Sequence, residues 1–469
     1  MKINLFYDRF GESEEGKYLV NGSTFDMQFE HHPQALTSCS VYPSMVHAGV
    51  DVTAQNTMDR KAVNIYPVDL WVHMNFDTVI DKISEEAKTL IRKGDLILYL
   101  TLSGEAFGCD EQNWIADLTD GIVRNNLTDA KIAIQCADMN FEANYDAWLK
   151  NNQVSYTFRN VFSIDFFQWT YSKQFQMRTG KWSWENNAPK RYNGIQVMFP
   201  NEVLHGTTPG TEKTGDLLCL NGMSRPHRIA TVAELHRLGC SNDFVSLLWR
   251  YQDINNLTGL DNVKSHIMDN LLASAEQKEY FNEYFDISPN NIQPHPGIID
   301  IDLQENIFLN DDRRIELSHY TKTFFSLVTE TVFDSGKSAV NKNGFTSIDQ
   351  FDNGICFITE KTYKPIAYFH PFILMGSFKS LEYLRKSGYE TFPEMFDESY
   401  DTMEDSKDRF NAVIEQVRLW KEKTQEEKIT IYDSIVPKLV HNHNTLIKKS
   451  ALLDAVAFED YSKIGSALL

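Results

Sequence analysis

The chain of 469 residues carries 45 Lys and Arg against 65 Asp and Glu, a formal net charge of −20. At about 150 residues per domain its length points to two or three domains. With 42% hydrophobic and 12% aromatic residues it has enough apolar material for real cores, which excludes disorder as the main state. No uncharged apolar run approaches the ~20 residues of a membrane span. The opening residues, with Lys2, Asp8, Arg9 and Glu12, lack the apolar core of a signal peptide. A soluble, cytoplasmic protein is expected, and its acidic balance argues against nonspecific polyanion binding by the body as a whole.

The chain opens with a strand-like run, Ile3–Tyr7. Apolar positions at Val79, Ile80, Ile83, Ala87, Leu90 and Ile91 predict a helix, with Asp77 as its N-cap and Gly94 closing it. The continuous apolar run Leu96–Leu102 predicts a strand buried on both faces. A loop (Ser103-Gly-Glu), a helix near Trp114–Arg124 and a strand at Lys131–Cys136 follow. Gly, Thr and Pro then crowd into 200–215 and predict a linker. The alternation restarts with a strand at Asp216–Leu220 and a helix at Arg225–Leu238, with Pro226 in its first turn and Gly239 past its end. Strands at Thr323–Val328, Ile355–Ile358 and Pro371–Met375, and a helix at Lys361–Tyr368, complete the pattern. Strand–helix alternation of this kind predicts parallel sheets. In Asp397–Glu427 the residues Phe410, Val413, Ile414, Val417 and Trp420 fall at helical spacing, which predicts a surface helix with a solvated acidic face. The six cysteines form no C-x-x-C pair, and most suit buried small hydrophobes rather than zinc ligands or disulfides.

Two strand-to-helix turns stand out. In Phe357-Ile-Thr-Glu-Lys-Thr-Tyr-Lys-Pro an apolar run meets a helix start bearing Thr359, Glu360, Lys361 and Lys364. A helix N-terminus offers unpaired N–H groups and a positive dipole end, which suits a phosphate, and a carboxylate can accept from a ribose diol. In Leu218-Cys-Leu-Asn-Gly-Met-Ser-Arg-Pro-His-Arg a second such turn carries Arg225, His227 and Arg228. Cations there oppose the helix dipole unless an anion joins them. A plain capping role for either segment stays open. Neither turn is a Walker A, and the chain has no G-x-G-x-x-G.

With Phe324-Phe-Ser-Leu-Val-Thr-Glu-Thr ahead of the Phe357 segment and His370-Pro-Phe-Ile-Leu-Met-Gly after it, the second half resembles the donor domain of the α-1,3-fucosyltransferase family. Residues Asn221–Asp401 resemble bacteriophage-encoded GT-B glycosyltransferases more closely, through the Arg-Pro-His-Arg turn, the Thr-Glu-Lys-Thr-Tyr-Lys-Pro-Ile turn, and the segment Thr391, Phe392 and Asp397–Asp401. The resemblance implies an α/β GT-B fold of two Rossmann-like domains facing across a cleft. The N-terminal acceptor-side domain would span 1–205 and the nucleotide-sugar domain 206–435, with a helical segment 436–469 packing back on the first. It implies a nucleotide-diphosphate sugar as co-substrate, a UDP-sugar favoured, and no required metal. It further implies that Glu360 binds the ribose, with Thr359 beside it, that Lys361 and Lys364 approach the phosphates, that Arg225 neutralises the diphosphate with Arg228 as a second candidate, and that Glu330 faces the donor sugar.

Residues Asp300 and Asp302 form a D-x-D, the pattern by which another transferase fold holds a divalent ion. The pairs His31-His32 and His441/His443 lack metal-ligand spacing and suit surface or capping positions. A general base for an acceptor hydroxyl is expected from the first domain, with Glu105 the choice and Asp8 and Asp138 its rivals. One island breaks the acidic trend: Lys173, Arg178, Lys181, Lys190 and Arg191, interleaved with Trp182 and Trp184. Cations among aromatics suit a nucleic-acid backbone and an unstacked base, though a surface loop packed on its indoles has the same composition. The expected function is transfer of a sugar to a hydroxylated or hydroxymethylated cytosine in double-stranded phage DNA. A protein or glycan acceptor is the first alternative, and a catalytically silent nucleotide-sugar-binding protein the second.

Overall fold

The computed structural model describes residues 2–6, 17–20, 23–26, 51–55, 57–70, 76–102, 108–109, 113–163, 210–221, 225–240, 243–247, 260–285, 317–333, 339–341, 344–346 and 354–468. The chain divides into two compact units. One comprises Met1–Lys173, Gln350–Ile355 and Lys448–Leu469, the other Gln174–Asp349 and Cys356–Ile447.

The first unit contains β1 (Lys2–Phe6), β2 (Lys17–Val20), β3 (Ser23–Asp26), β4 (Asp51–Gln55), β5 (Val63–Asp69), α1 (Glu85–Arg92), β6 (Ile97–Leu102), α2 (Trp114–Arg124), β7 (Ile132–Cys136), α3 (Phe141–Asn151) and β8 (Asn160–Ser163). Strands β2 and β3 form an antiparallel hairpin. The others make one parallel sheet in the order β4-β1-β5-β6-β7-β8. The apolar run read as a two-sided strand is β6, flanked by β5 and β7 and buried at all six positions. Trp114 of α2 and Phe141 of α3 stack with centroids 5.7 Å apart within the core that covers one face of this sheet.

The predicted helix over 79–91 is shorter than its apolar spacing suggests. Residues 76–83 form turns, and α1 starts after Ser84, whose hydroxyl accepts the Ala87 N–H at 3.0 Å. Val79, Ile80 and Ile83 still enter the core, so the spacing reported burial correctly and backbone conformation wrongly. Ser84 is extended (φ −60°, ψ 152°), which starts a helix there and replaces Asp77 as the cap. Gly94 ends the element at φ +75°, in the left-handed region that favours glycine.

The second unit contains β9 (Gly215–Cys219), α4 (Pro226–Arg237), β10 (Phe244–Val245), α5 (Leu260–Asn270), α6 (Ala275–Tyr284), α7 (Leu317–Lys322), β11 (Thr323–Thr329), the hairpin β12 (Ala339–Asn341) and β13 (Gly344–Thr346), α8 (Glu360–Ala367), β14 (Phe372–Met375), α9 (Ser380–Lys386), α10 (Ser406–Lys421) and the part of α11 (Gln425–Leu468) up to Ile447, the rest of that helix belonging to the first unit. The main sheet is parallel, in the order β10-β9-β11-β14. The chain is thus an α/β protein with two parallel sheets, compatible with a Rossmann-like fold.

Ile355–Ile358, expected as a strand, has no strand pairing. Its four residues are buried, and the segment leads into α8 without joining the sheet. The Asp397–Glu427 stretch also splits. A short 3-10 turn (Glu398–Thr402) precedes α10, which is capped by Asp405 and buries Phe410, Val413, Ile414, Val417 and Trp420 as their spacing requires. Trp420 packs on Phe324 and Phe325 at 5.7 and 5.6 Å, and its indole N–H donates to Asp216 at 3.2 Å. Cys109, Cys136, Cys219, Cys240 and Cys356 are buried and in no disulfide among the described residues, and Cys39 lies outside them. Among the described residues no helix is long and apolar enough to cross a membrane.

Candidate functional site

The order of the second sheet creates a particular place. From β9 the chain goes through α4 to β10 on one side, then crosses to β11 on the other. The strand order reverses there, so the connections leaving the carboxyl ends of β9 and β11 diverge and leave a crevice. The strand ends are tied together, since the Thr329 hydroxyl donates to Oδ1 of Asn221 at 2.5 Å. Asn221 is in turn fixed by donating through Nδ2 to the Ser246 carbonyl (2.9 Å) and by its own N–H to Ser246 Oγ (3.1 Å).

On one flank α4 begins. Arg225 is its N-cap in extended conformation, with no side-chain cap, and Pro226 occupies the first turn. His227 is buried, donates from Nε2 to the Glu330 carbonyl at 2.9 Å and stacks on Phe333 at 5.3 Å. Burial, reinforced by the Arg228 charge, pushes its imidazole well below the usual range, so the ring is neutral at pH 7. Arg228 is buried as well, donating to the Thr329 and Glu330 carbonyls at 3.2 and 3.1 Å. Burial and then Arg225 pull its guanidinium down to about 10, against the carboxylates of Glu330 and Glu360.

On the other flank α8 begins at Thr359. The Glu330 side chain, fully buried, accepts from Thr359 N–H (2.9 Å), Thr359 Oγ1 (2.6 Å), Thr362 Oγ1 (2.5 Å) and Thr331 N–H (3.1 Å). These four donors fill the acceptor positions of a carboxylate. The resemblance had Glu330 face a donor sugar; instead it is turned into the protein and holds the start of α8. Lys361 Nζ lies 2.9 Å from Glu360 Oε1 and 3.1 Å from each of the Thr331 and Thr359 hydroxyls. Burial works to raise the Glu360 pKa, but Lys361 and Lys364 overcome it and hold the carboxyl at about 2, so it is a carboxylate at any physiological pH. Its side chain stays 22% exposed and that of Lys361 17%.

Lys364 is buried on the inner side of α8. With Lys361, Pro365, Leu218, Ser326 and Thr329 it lines a cavity of about 30 Å³. That is room for a water or two and none for a sugar, so a larger ligand would have to stay outside it, where the side chains of Glu360 and Lys361 are partly exposed. The far end of α8 is also fixed. His443 Nδ1 donates to the Ala367 carbonyl at 2.9 Å, and its ring stacks on Phe369 at 3.9 Å. His441 donates to the Gly388 carbonyl at 2.9 Å, so both histidines cap carbonyls, as their spacing suggested.

Arg225, Arg228, Glu330, Thr359, Glu360, Lys361 and Lys364 therefore assemble around one switch point. Asp138, a rival for general base, is fully buried behind β7 and accepts from Asn140 N–H (2.9 Å) and Asn144 Nδ2 (2.7 Å), which makes it a structural acceptor at the start of α3. Glu105, Asp8, the island residues Lys173, Arg178, Lys181, Trp182, Trp184, Lys190 and Arg191, the pair Asp300/Asp302, and His31 and His32 lie outside the described residues. Among the described residues no cluster of three His, Cys, Asp or Glu could hold a metal ion. Sequence reasoning missed Thr331 and Thr362, whose hydroxyls complete the α8 turn. A threonine just inside a cation-bearing helix start is the signal that could have flagged Thr362, and nothing local marks Thr331. No protein-family model matches the chain, and no curated protein or solved structure matches it.

Proposed function

We propose that the chain is a GT-B glycosyltransferase that moves a sugar from a nucleotide-diphosphate sugar, a UDP-sugar favoured, to a hydroxyl acceptor. The observation that carries this reading is the convergence of two cation-bearing helix starts, Arg225 on α4 and Lys361 on α8, at the topological switch between β9 and β11. A departing nucleoside diphosphate gains negative charge in the transition state. Fixed cations and helix N–H groups aimed at that charge stabilise it without reorganising. In this reading Arg225 and Lys361 meet the diphosphate, and protein charge takes the place a divalent ion would hold. Glu360, ionised and partly exposed, accepts from the ribose diol.

The acceptor reading rests on the sequence. Glu105 serves as general base, and the basic-aromatic island from Lys173 to Arg191 holds double-stranded phage DNA, in which a hydroxylated or hydroxymethylated cytosine is flipped out and stacked. The compartment in that reading is the cytoplasm of the infected cell.

The test is thermal unfolding with a panel of nucleoside diphosphates, with and without EDTA. A ligand at 100 times its dissociation constant adds about 2.7 kcal/mol. A shift with one nucleotide, unchanged by EDTA, supports the donor site and names the base. A shift abolished by EDTA moves the assignment to Asp300 and Asp302, and no shift with any nucleotide overturns it. Release of nucleoside diphosphate in the presence of acceptor then separates a transferase from a silent binder.

A further inference from the structure

Glu330 makes a second set of contacts that its carboxylate alone does not explain. Its backbone carbonyl receives both His227 Nε2 (2.9 Å) and Arg228 Nη2 (3.1 Å) from the first turn of α4. Its N–H donates to the Met375 carbonyl at the end of β14 (2.9 Å). Its carboxylate receives the N-cap and third residue of α8 through Thr359 and Thr362. A single fully buried residue thus refers both cation-bearing helix starts to the end of β11.

The link to Lys361 runs through one oxygen. Thr359 Oγ1 gives its hydrogen to Glu330 Oε2 (2.6 Å), which leaves its lone pairs to receive Lys361 Nζ (3.1 Å) and the Lys361 N–H (3.4 Å). A carboxylate at position 330 therefore sets which way that hydroxyl points, and the hydroxyl sets where the ammonium sits. The second hydroxyl on Lys361, from Thr331, belongs to the residue whose N–H also binds Glu330.

We infer that Glu330 is a positioning residue that sets the placement of the Lys361 ammonium through Thr359 and holds it in register with the α4 turn. The inference deepens the reading of these turns as a diphosphate site and rests on it for its catalytic meaning, since a buried Glu330 touches no ligand itself. Glu330→Gln keeps the shape but brings an NH₂ that must donate. At the Oε2 position that NH₂ faces the Thr331 N–H and takes the Thr359 lone pair that Lys361 uses; at the Oε1 position it faces the Thr359 N–H, so either orientation sets donor against donor at the turn that carries Lys361.

The test is trace acylation of lysines in the folded full chain, read peptide by peptide by mass spectrometry. In Glu330→Gln the Lys361 amine should acylate about tenfold faster, the scale of losing one charge-assisted hydrogen bond, while Lys386, 74% exposed on α9, keeps its rate. Thr359→Ala should reproduce the effect and Thr359→Ser restore the wild-type rate, a pair that decides the matter if Glu330→Gln does not fold. An unchanged Lys361 rate overturns the inference, as does a rise shared equally by Lys386, which would mean general loosening. Nucleoside-diphosphate binding is measured on the same samples. A wild-type chain that binds none removes the donor-site reading, and the acylation result still decides the role of Glu330.

Discussion

The Thr329 hydroxyl meets Oδ1 of Asn221 at 2.5 Å, joining the end of β11 to the residues that follow β9 at the point where strand order reverses. The bond is buried, so neither group can turn to water instead. Thr329→Val keeps the shape and leaves the Asn221 carbonyl oxygen without its donor. It should lower the free energy of unfolding by about 1–3 kcal/mol, measured by denaturant titration.

The proposed donor site rests on two cations, Arg225 and Lys361. Lys361→Ala and Arg225→Ala should each lower sugar transfer at least ~100-fold, the scale of losing one preorganised charge contact. Wild-type rates in both would remove the donor-site map.

A buried lysine gives the second unit a pH dependence. Lys213 donates to the Tyr320 carbonyl at 3.1 Å and lies 4.6 Å above the Tyr432 ring, and burial pushes its pKa from 10.5 down to about 7. Between those values the unfolded chain binds the proton that the folded chain has lost, so stability rises with pH across this window and falls as pH drops toward 7. The slope from this group is at most about 1.4 kcal/mol per pH unit. Urea unfolding from pH 7 to 10 should show the rise in the wild type and lose it in Lys213→Met.

Burial also raises the Cys219 and Cys240 thiols to about 12. At pH 7.5 an aromatic disulfide reagent should leave both unmodified in the folded chain and label both in guanidinium.

The acceptor assignment is tested on DNA. Replacing Lys181, Lys190 and Arg191 by Gln should weaken duplex binding and reduce the slope of log affinity against log salt by about 2 to 3, near 0.9 per lost phosphate contact. Normal DNA modification by this variant would sink the role given to the island.

How far the sequence carried the reading depended on whether a signal was local. The run Leu96–Leu102 is apolar at every step, and only a strand flanked on both sides and covered on both faces wants that. The helix at Pro226 announced itself by proline at the start and glycine just past the end. Ile355–Ile358 looks the same as a strand on paper, yet an apolar run reports burial and not hydrogen-bonded pairing, and the segment is buried without joining the sheet. Asp77 and Ser84 both suit an N-cap, and only the backbone at Ser84 shows which one is used. For the site, the cations and Glu360 were visible because charges at a helix start are costly without a purpose. The role of Glu330 was not, because a carboxylate at a strand end gives no sign of whether it turns outward or into a cluster of threonines. Those threonines lie one residue away and about thirty residues away in the chain.

Helix α8 is bolted at both ends, by Glu330 at its first turn and by His443 at its last carbonyls. Such an element is a strut rather than a hinge. An arriving anion would find the donor groups already aligned and would reorient side chains without rebuilding backbone, so little ordering entropy opposes association. Hydrogen exchange along α8 should accordingly be slow before any ligand is added and change little afterwards, leaving the Glu360–Lys361 contact as the movable part of an otherwise fixed frame.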